Sequence, residues 1–300
     1  MTGVQTCALP ILIAGIVTTG VIMGNMGILA HANTTRLSAE ELMNMPGLVQ
    51  MKTGHGEDAN PSYISKSMFS KESIYGLPMF DKGNVVNFVK WLVENDEKYS
   101  EIFDVEKIDK IVGKEKFDKL WVKAGELDEY DFALKQQTYV METQIKPVID
   151  EMKKLTGVDI TGNKALEELV FVTIVEYGRS SVEMIKESLS EYKDISEVDV
   201  EAVIDKVVNA KIDKLKNIKT LSERALEGKE EALLEEAKSL KELHTFEKNY
   251  KDGKEVEIPV KSEKISIEKE LDNIKDSFDK KDEEGLKGSV LNLISKIFNK

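Results

Sequence analysis

Glu57, Asp58 and Glu72 lie in one loop-rich stretch, residues 57–92, EDANPSYISKSMFSKESIYGLPMFDKGNVVNFVKWL. The acids sit among Ser, Gly and Pro, and the stretch then turns into an amphipathic helix. Carboxylates carried on loops and held by a rigid helical scaffold can give and take protons at a bound substrate. No other segment combines acids, turn formers and aromatic residues so densely. The rest of the chain reads as support for this one.

Other chemistries find little footing. One Cys and three His, at 31, 55 and 244, leave no Cys/His zinc spacing and no internal disulfide. His55, beside Gly56-Glu57, invites a metal or base role, but no second ligand accompanies it and a solvated loop histidine is the simpler reading. There is no G-x-S-x-G elbow and no phosphate-binding glycine loop. A net charge of -13 argues against nucleic-acid binding, which needs a basic face.

The elements that must position the acids are helical. Asn84 is placed to cap a helix with Val85, Phe88, Val89 and Leu92 at i, i+3, i+4, i+7 spacing, and Trp91 widens that face. Further apolar faces follow, with Ile108, Ile111 and Val112, then Phe117, Leu120, Trp121 and Val122. Trp91 and Trp121, at helical spacing, read as core residues. A long helix from Asp128 carries Phe132 to Met152, with Pro147 expected to kink it and Gly157 to stop it. Asn163 opens the segment ALEELVFVTIVEYG, apolar nearly all round and therefore placed at the centre of the domain. Amphipathic helices are expected at about 180–192, 198–215 and 217–240. Ser38 and Glu41 form a capping box for a short helix ended by Pro46-Gly47.

The two ends read differently. Residues 1–11, MTGVQTCALPI, match a translated sequencing adapter and are expected to be an artefact that takes the one Cys with it. Residues 12–32 are uncharged, apolar and end in Ala30-His31-Ala32, as in a truncated signal peptide; a retained membrane anchor is the rival reading. A helical domain is expected over 33–242. Residues 243–300 follow as a charged linker, with short alternating pieces VEIPV and ISIEK, and a C-terminal amphipathic helix. That last helix, with Leu286, Val290, Leu293, Ile294, Ile297 and Phe298 on one stripe, reads as docking back on the domain. The alternative is contact with a partner or a membrane surface.

The order EDANPSYIS, an acid-containing loop, SIYG and the FVKWL helix resembles the lysozyme-like, chitosanase-related peptidoglycan hydrolases of phage lysis and tail proteins and interbacterial spike effectors. Their pattern is roughly E-S-G-N-P-G-T-I-S, a Gly-rich loop with an Asp, S-Y-G-x-Y-Q and a similar helix. Three later segments are also similar. Gly157-Val158-Asp159-Ile160 resembles GLDV, residues 171–178 (FVTIVEYG) resemble W-S-T-A-V-Q-H-G, and the helix from Arg224 to Glu230 resembles R-Y-x-x-E. The likeness covers roughly residues 50–240. It implies a mainly α, two-lobed lysozyme-like fold with a small β-hairpin at the cleft.

The resemblance further implies cleavage of a β-1,4-linked amino-sugar polymer by a pair of carboxyl groups, without a cofactor. Glu57 matches the family's acid. The family's loop Asp falls near Phe69, where no acid stands, so Glu72 is the first candidate for the second carboxylate and Asp81, across the hairpin, the weaker one. Asp58 reads as solvated. Tyr75 and Gly76 are candidate substrate contacts, with a core or hairpin role for Tyr75 equally open. The Gly-rich loop is replaced by Ser-Lys-Glu-Ser, Tyr-Gln by Pro78-Met79 and the Gln-His pair by Glu176-Tyr177. An exported helical binding or structural protein on the same scaffold, without catalysis, is therefore the alternative. The implied partner is a cell-wall glycan and the expected location secreted or cell-envelope, with no stable membrane insertion once the signal is removed.

Overall fold

The computed structural model describes residues 39–55, 60–66, 72–218 and 221–253, all within one contact unit. The adapter-like and signal-like segments, Ser38, and the C-terminal pieces VEIPV, ISIEK and 285–300 lie outside them. Helices dominate: α1 (Ala39–Asn44), α2 (Leu48–His55), α3 (Lys82–Asn95), α4 (Ile108–Ile111), α5 (Glu115–Leu127), α6 (Glu129–Val140), α7 (Lys146–Thr156), α8 (Lys164–Tyr177), α9 (Val182–Leu189), α10 (Val200–Lys216) and α11 (Glu223–Lys251). A short antiparallel hairpin, β1 (Ile64–Lys66) with β2 (Ser73–Tyr75), lies between α2 and α3.

The apolar stripe on α3 does what its spacing implies. Val85, Phe88, Val89 and Leu92 are completely buried. They join an aromatic cluster in which Trp121 of α5 meets Phe132 of α6 edge-on at 4.9 Å, and Phe80 stacks on Phe88 at 5.1 Å. The helix starts earlier than expected, however. Asp81, not Asn84, is the N-cap: its Oδ1 accepts the Asn84 N–H at 2.8 Å. Phe80 is locked by a bridge to Tyr75, which fixes where the chain can begin to turn. Asp128 and Asn163 cap α6 and α8 in the same way, each such cap contributing about 1 kcal/mol.

Pro147 does not break its helix sharply. Residues Met141–Ile145 form a π turn, with the Lys146 N–H donating to the Met141 carbonyl. The wider turn places Pro147 in the first turn of α7, where its missing N–H leaves no gap in the ladder. Gly157 ends α7 at φ +81, the left-handed conformation that a side chain disfavours.

The α8 helix is central, buried on nearly every side and packed against α2, α7, α10 and α11. Inside it sits a carboxylate with no water to solvate it. Glu168, 0 % exposed, accepts the Gly47 N–H at 2.7 Å and the Val49 N–H at 3.0 Å, and the Lys164 ammonium at 2.9 Å. It thereby caps α2 from another helix. Glu247 does the same for α8, accepting the Lys164 N–H at 3.0 Å. Because Glu247, Leu243 and Phe246 are buried, the folded part extends beyond 242, and α11 both starts later and runs longer than its sequence face alone indicated.

A second buried ionic group joins α8, α10 and α11. Lys211, 0 % exposed, donates to Glu236 at 2.7 Å and to Glu176 at 2.9 Å. Its ammonium also lies over the Tyr177 ring at 5.5 Å. Two carboxylates thus share one cation. Burial, and then the neighbouring Glu176 carboxylate, push Glu236 up to about 8, against the pull of Lys211. Burial works against the Lys211 charge, yet Glu176 and Glu236 outweigh it and hold the ammonium above the ordinary lysine range.

Removing the α2 cap should be costly. Glu168→Ala leaves Lys164 as a buried cation without its carboxylate and is expected to cost about 3–5 kcal/mol, read from urea unfolding; an unchanged midpoint would show the carboxylate to be dispensable. The second ionic group predicts a pH dependence. The Glu236 pKa lies above its ordinary 4.5 in the folded chain. Its stabilising contribution is therefore complete below about pH 4.5 and lost as the pH rises through about 8. Urea midpoints at constant ionic strength should fall across that interval, and Glu236→Gln should flatten the decline; equal slopes for both proteins would exclude Glu236 as the titrating group.

Candidate functional site

The site region is a corner where α2, the segment 60–63, the hairpin and α6 meet. On α2, Gln50 donates to the Leu77 carbonyl at 2.8 Å and accepts from Gln137 of α6 at 3.0 Å. After α2, the chain is fixed again at residues 60–63. The Asn60 Oδ1 accepts the Ser62 N–H at 2.7 Å, an Asx turn, and the Asn60 carbonyl accepts the Tyr63 N–H. The Pro61 carbonyl takes two buried donors, Gln136 Nε2 at 2.9 Å and Trp121 Nε1 at 3.1 Å. Ser62 lies so close over Gly125 of α5 that a Cβ there would stand 1.8 Å from its hydroxyl.

The hairpin continues from this anchor. Ile64, Ser65 and Lys66 pair with Tyr75, Ile74 and Ser73. At its base the Gly76 N–H donates to the Tyr63 carbonyl at 2.8 Å. Gly76 has φ +71, and a Cβ would meet Gln136 Oε1 at 2.3 Å and Trp121 at 2.9 Å. Both the turn and the close packing therefore require glycine.

Glu57 and Asp58 lie outside the described residues, in the segment 56–59 between the end of α2 and Asn60; nothing further is described of the His55 side chain. Glu72 is exposed and immediately precedes Ser73, the last residue paired in the hairpin. Asp81 is occupied as the α3 cap. Tyr75 is 0 % exposed, its ring edge-on to Phe117 at 4.9 Å and tilted against Trp121 at 5.5 Å, so neither face is open to a sugar. Its hydroxyl donates to Asp118 at 2.7 Å and accepts the Gly113 N–H at 3.1 Å. Burial and the Asp118 carboxylate push the phenol up to about 12, which keeps it neutral. Tyr75 acts here as a core residue tying the hairpin to α5, and Gly76 as its turn. Trp121 is completely buried, and Trp91 partly so.

The segments matched further along the chain have structural roles. Asp159 is a surface acid held down to about 2 by hydrogen bonds from Lys153 and Thr161. Glu176 belongs to the buried ionic group described above, and Glu230 pairs with Lys216 at 3.3 Å. Sequence reading passed over Gln50, Gln136, Gln137, Lys211 and Glu236, because a polar residue on a helix normally faces water. Among the described residues no group of His, Cys, Asp and Glu could hold a metal ion, and no helix is long and apolar enough to cross a membrane.

The model of the family described as "Type VI secretion system spike protein VgrG3-like, C-terminal" matches residues 35–239. No curated protein matches the chain. The matched span takes in the corner, the hairpin and every helix from α1 to α10 and covers well over half of the sequence. The chain belongs to the VgrG3-like C-terminal family of type VI secretion system spike proteins.

Proposed function

We propose that this chain is an exported glycoside hydrolase that cleaves a β-1,4-linked amino-sugar polymer, peptidoglycan first, on a two-lobed lysozyme-like scaffold. The observation that carries it is the anchoring on both sides of the Glu57 segment. The Glu168-capped α2 leads into it, and the doubly held Pro61 leads out of it into a hairpin that bears Glu72. The order of motifs through this corner resembles peptidoglycan hydrolases, and the spike family is a setting in which such an activity is useful. Both the spike context and the signal-like residues 12–32 support export.

In this reading Glu57 protonates the leaving oxygen and Glu72 supplies the second carboxylate. The exposure of Glu72 supports that choice, whereas the Asp81 carboxylate is already engaged by a backbone N–H. A carboxyl separation of about 5–5.5 Å gives a covalent intermediate and retention; about 6.5–9.5 Å leaves room for water and gives inversion. Neither route needs a cofactor. A cell-wall glycan is then the partner, and the apolar stripe within 285–300 would dock on the domain or meet a partner or membrane surface. The Ser-Lys-Glu-Ser loop and the missing loop Asp near Phe69 favour the second reading, an exported helical binding or structural protein on the same scaffold without catalysis.

The full chain, incubated with purified peptidoglycan and in parallel with chitosan, is expected to release soluble fragments. Glu57→Gln and Glu72→Gln should each lower kcat by about 10²–10⁴-fold. Asp81→Asn is the control, since asparagine caps a helix as well as aspartate does, and its turnover should stay within about twofold of wild type. Loss of turnover in Asp81→Asn alone would make Asp81 the second carboxylate. Fragments that persist in Glu57→Gln would displace the acid, and a folded wild type that binds the glycan without cutting it would establish the scaffold.

A further inference from the structure

A single buried amide joins the chain leaving the Glu57 segment to the hairpin. Gln136, 0 % exposed on α6, donates from Nε2 to the Pro61 carbonyl at 2.9 Å and accepts the Leu77 N–H on Oε1 at 2.9 Å. One partner needs a donor and the other an acceptor. A neutral carboxamide offers both from one planar group, whereas an apolar side chain offers neither. The orientation of the amide is fixed by these partners, because the flipped form sets oxygen against the Pro61 oxygen and NH₂ against the Leu77 N–H.

The surroundings hold the bridge rigidly. Gln50 grips the carbonyl of the same Leu77 and is itself gripped by Gln137, so the turn peptide is held from α2 as well as from α6. The Pro61 carbonyl takes a second donor, the Trp121 indole. Loss of the Gln136 amide breaks two buried hydrogen bonds at once.

We propose that Gln136 is a positioning residue that fixes the Pro61 carbonyl against the hairpin turn at Leu77. It thereby sets where Pro61, on the chain that follows the Glu57 segment, stands relative to the turn after the strand that follows Glu72. The catalytic consequence rests on the hydrolase reading above; the geometric one does not. Displacement of an acid by about 1 Å can cost on the order of 100-fold in rate.

Two variants of the full chain test this. Gln136→Met keeps the side-chain length and removes both hydrogen bonds. It should lower kcat on peptidoglycan about 10- to 100-fold with KM within about threefold, and move the Trp121 indole N–H resonance. Trp91 supplies the only other indole in the chain, so the two signals are separable. Gln136→Glu adds a signature that a space-filling role does not have. Its carboxyl can donate to Pro61 only when protonated, so turnover relative to wild type and the indole position should both recover as the pH falls. An unmoved indole resonance in folded Gln136→Met, or kcat unchanged beside an active wild type, overturns the proposal. If Gln136→Met does not fold, Gln136→Glu decides, and absence of acid recovery overturns it. If the wild type cuts neither peptidoglycan nor chitosan, the hydrolase reading fails on its own, and the indole position in the two variants still decides whether Gln136 sets Pro61.

Discussion

The Glu168 carboxylate is the constraint on which the rest of the corner depends. An eight-residue helix such as α2 has little stability of its own, and a buried carboxylate is costly unless several donors meet it. Each solves the other's problem. The backbone N–H groups at the start of α2 satisfy Glu168 together with Lys164, and the carboxylate fixes where α2 begins. From that point the order propagates through neutral hydrogen bonds: Gln50 to Leu77, Leu77 to Gln136, Gln136 to Pro61. The central helix α8 therefore reaches the candidate site through an ionic cap at one end of α2 and an amide chain along its side.

Much of the helical architecture was legible because it follows from period and punctuation. The stripe from Val85 to Leu92, the caps at Asp128 and Asn163 and the stop at Gly157 depend on local chemistry that the sequence states openly. The misses are tertiary. Asn84, directly before the apolar stripe, looked like the α3 cap, but Phe80 is pinned to Tyr75 and Asp81 is then placed to cap. Pro147 looked like a kink, and a single π turn absorbed it. The end of α11 was placed too early because the charge-rich composition beyond 242 reads as a linker; Glu247 instead caps α8 from a distance of 83 residues in sequence.

The site was legible in outline and not in detail. The acid-bearing loops announce themselves by composition, and the small hairpin that the resemblance implied is present as β1 and β2. Tyr75, however, could face either way on a strand of three residues. Its placement against Phe117 and Trp121, with a hydroxyl bound by Asp118, is decided by α5 and by nothing near it in sequence. Gln136 and Gln137 were invisible for a related reason. On a helix of mixed character a glutamine reads as a surface residue until its partners, 75 and 87 positions away, are known.

The two kinds of buried polar group divide the molecule chemically. Helices α8, α10 and α11 are tied together by an ionic group, in which burial and then the neighbouring Glu176 carboxylate raise Glu236 to about 8 against the pull of Lys211. The corner formed by α2, residues 60–63, the hairpin and α6 is tied by glutamine amides, backbone carbonyls and an indole, and Tyr75 there is neutral throughout the physiological range. A general acid must change its protonation state during each turnover. If the groups that position it also titrated, its geometry would vary with the proton it is meant to transfer. Neutral amides remove that coupling. The placement of ionic ties among the central helices and of amide ties at the corner suits the acid–base chemistry proposed for Glu57.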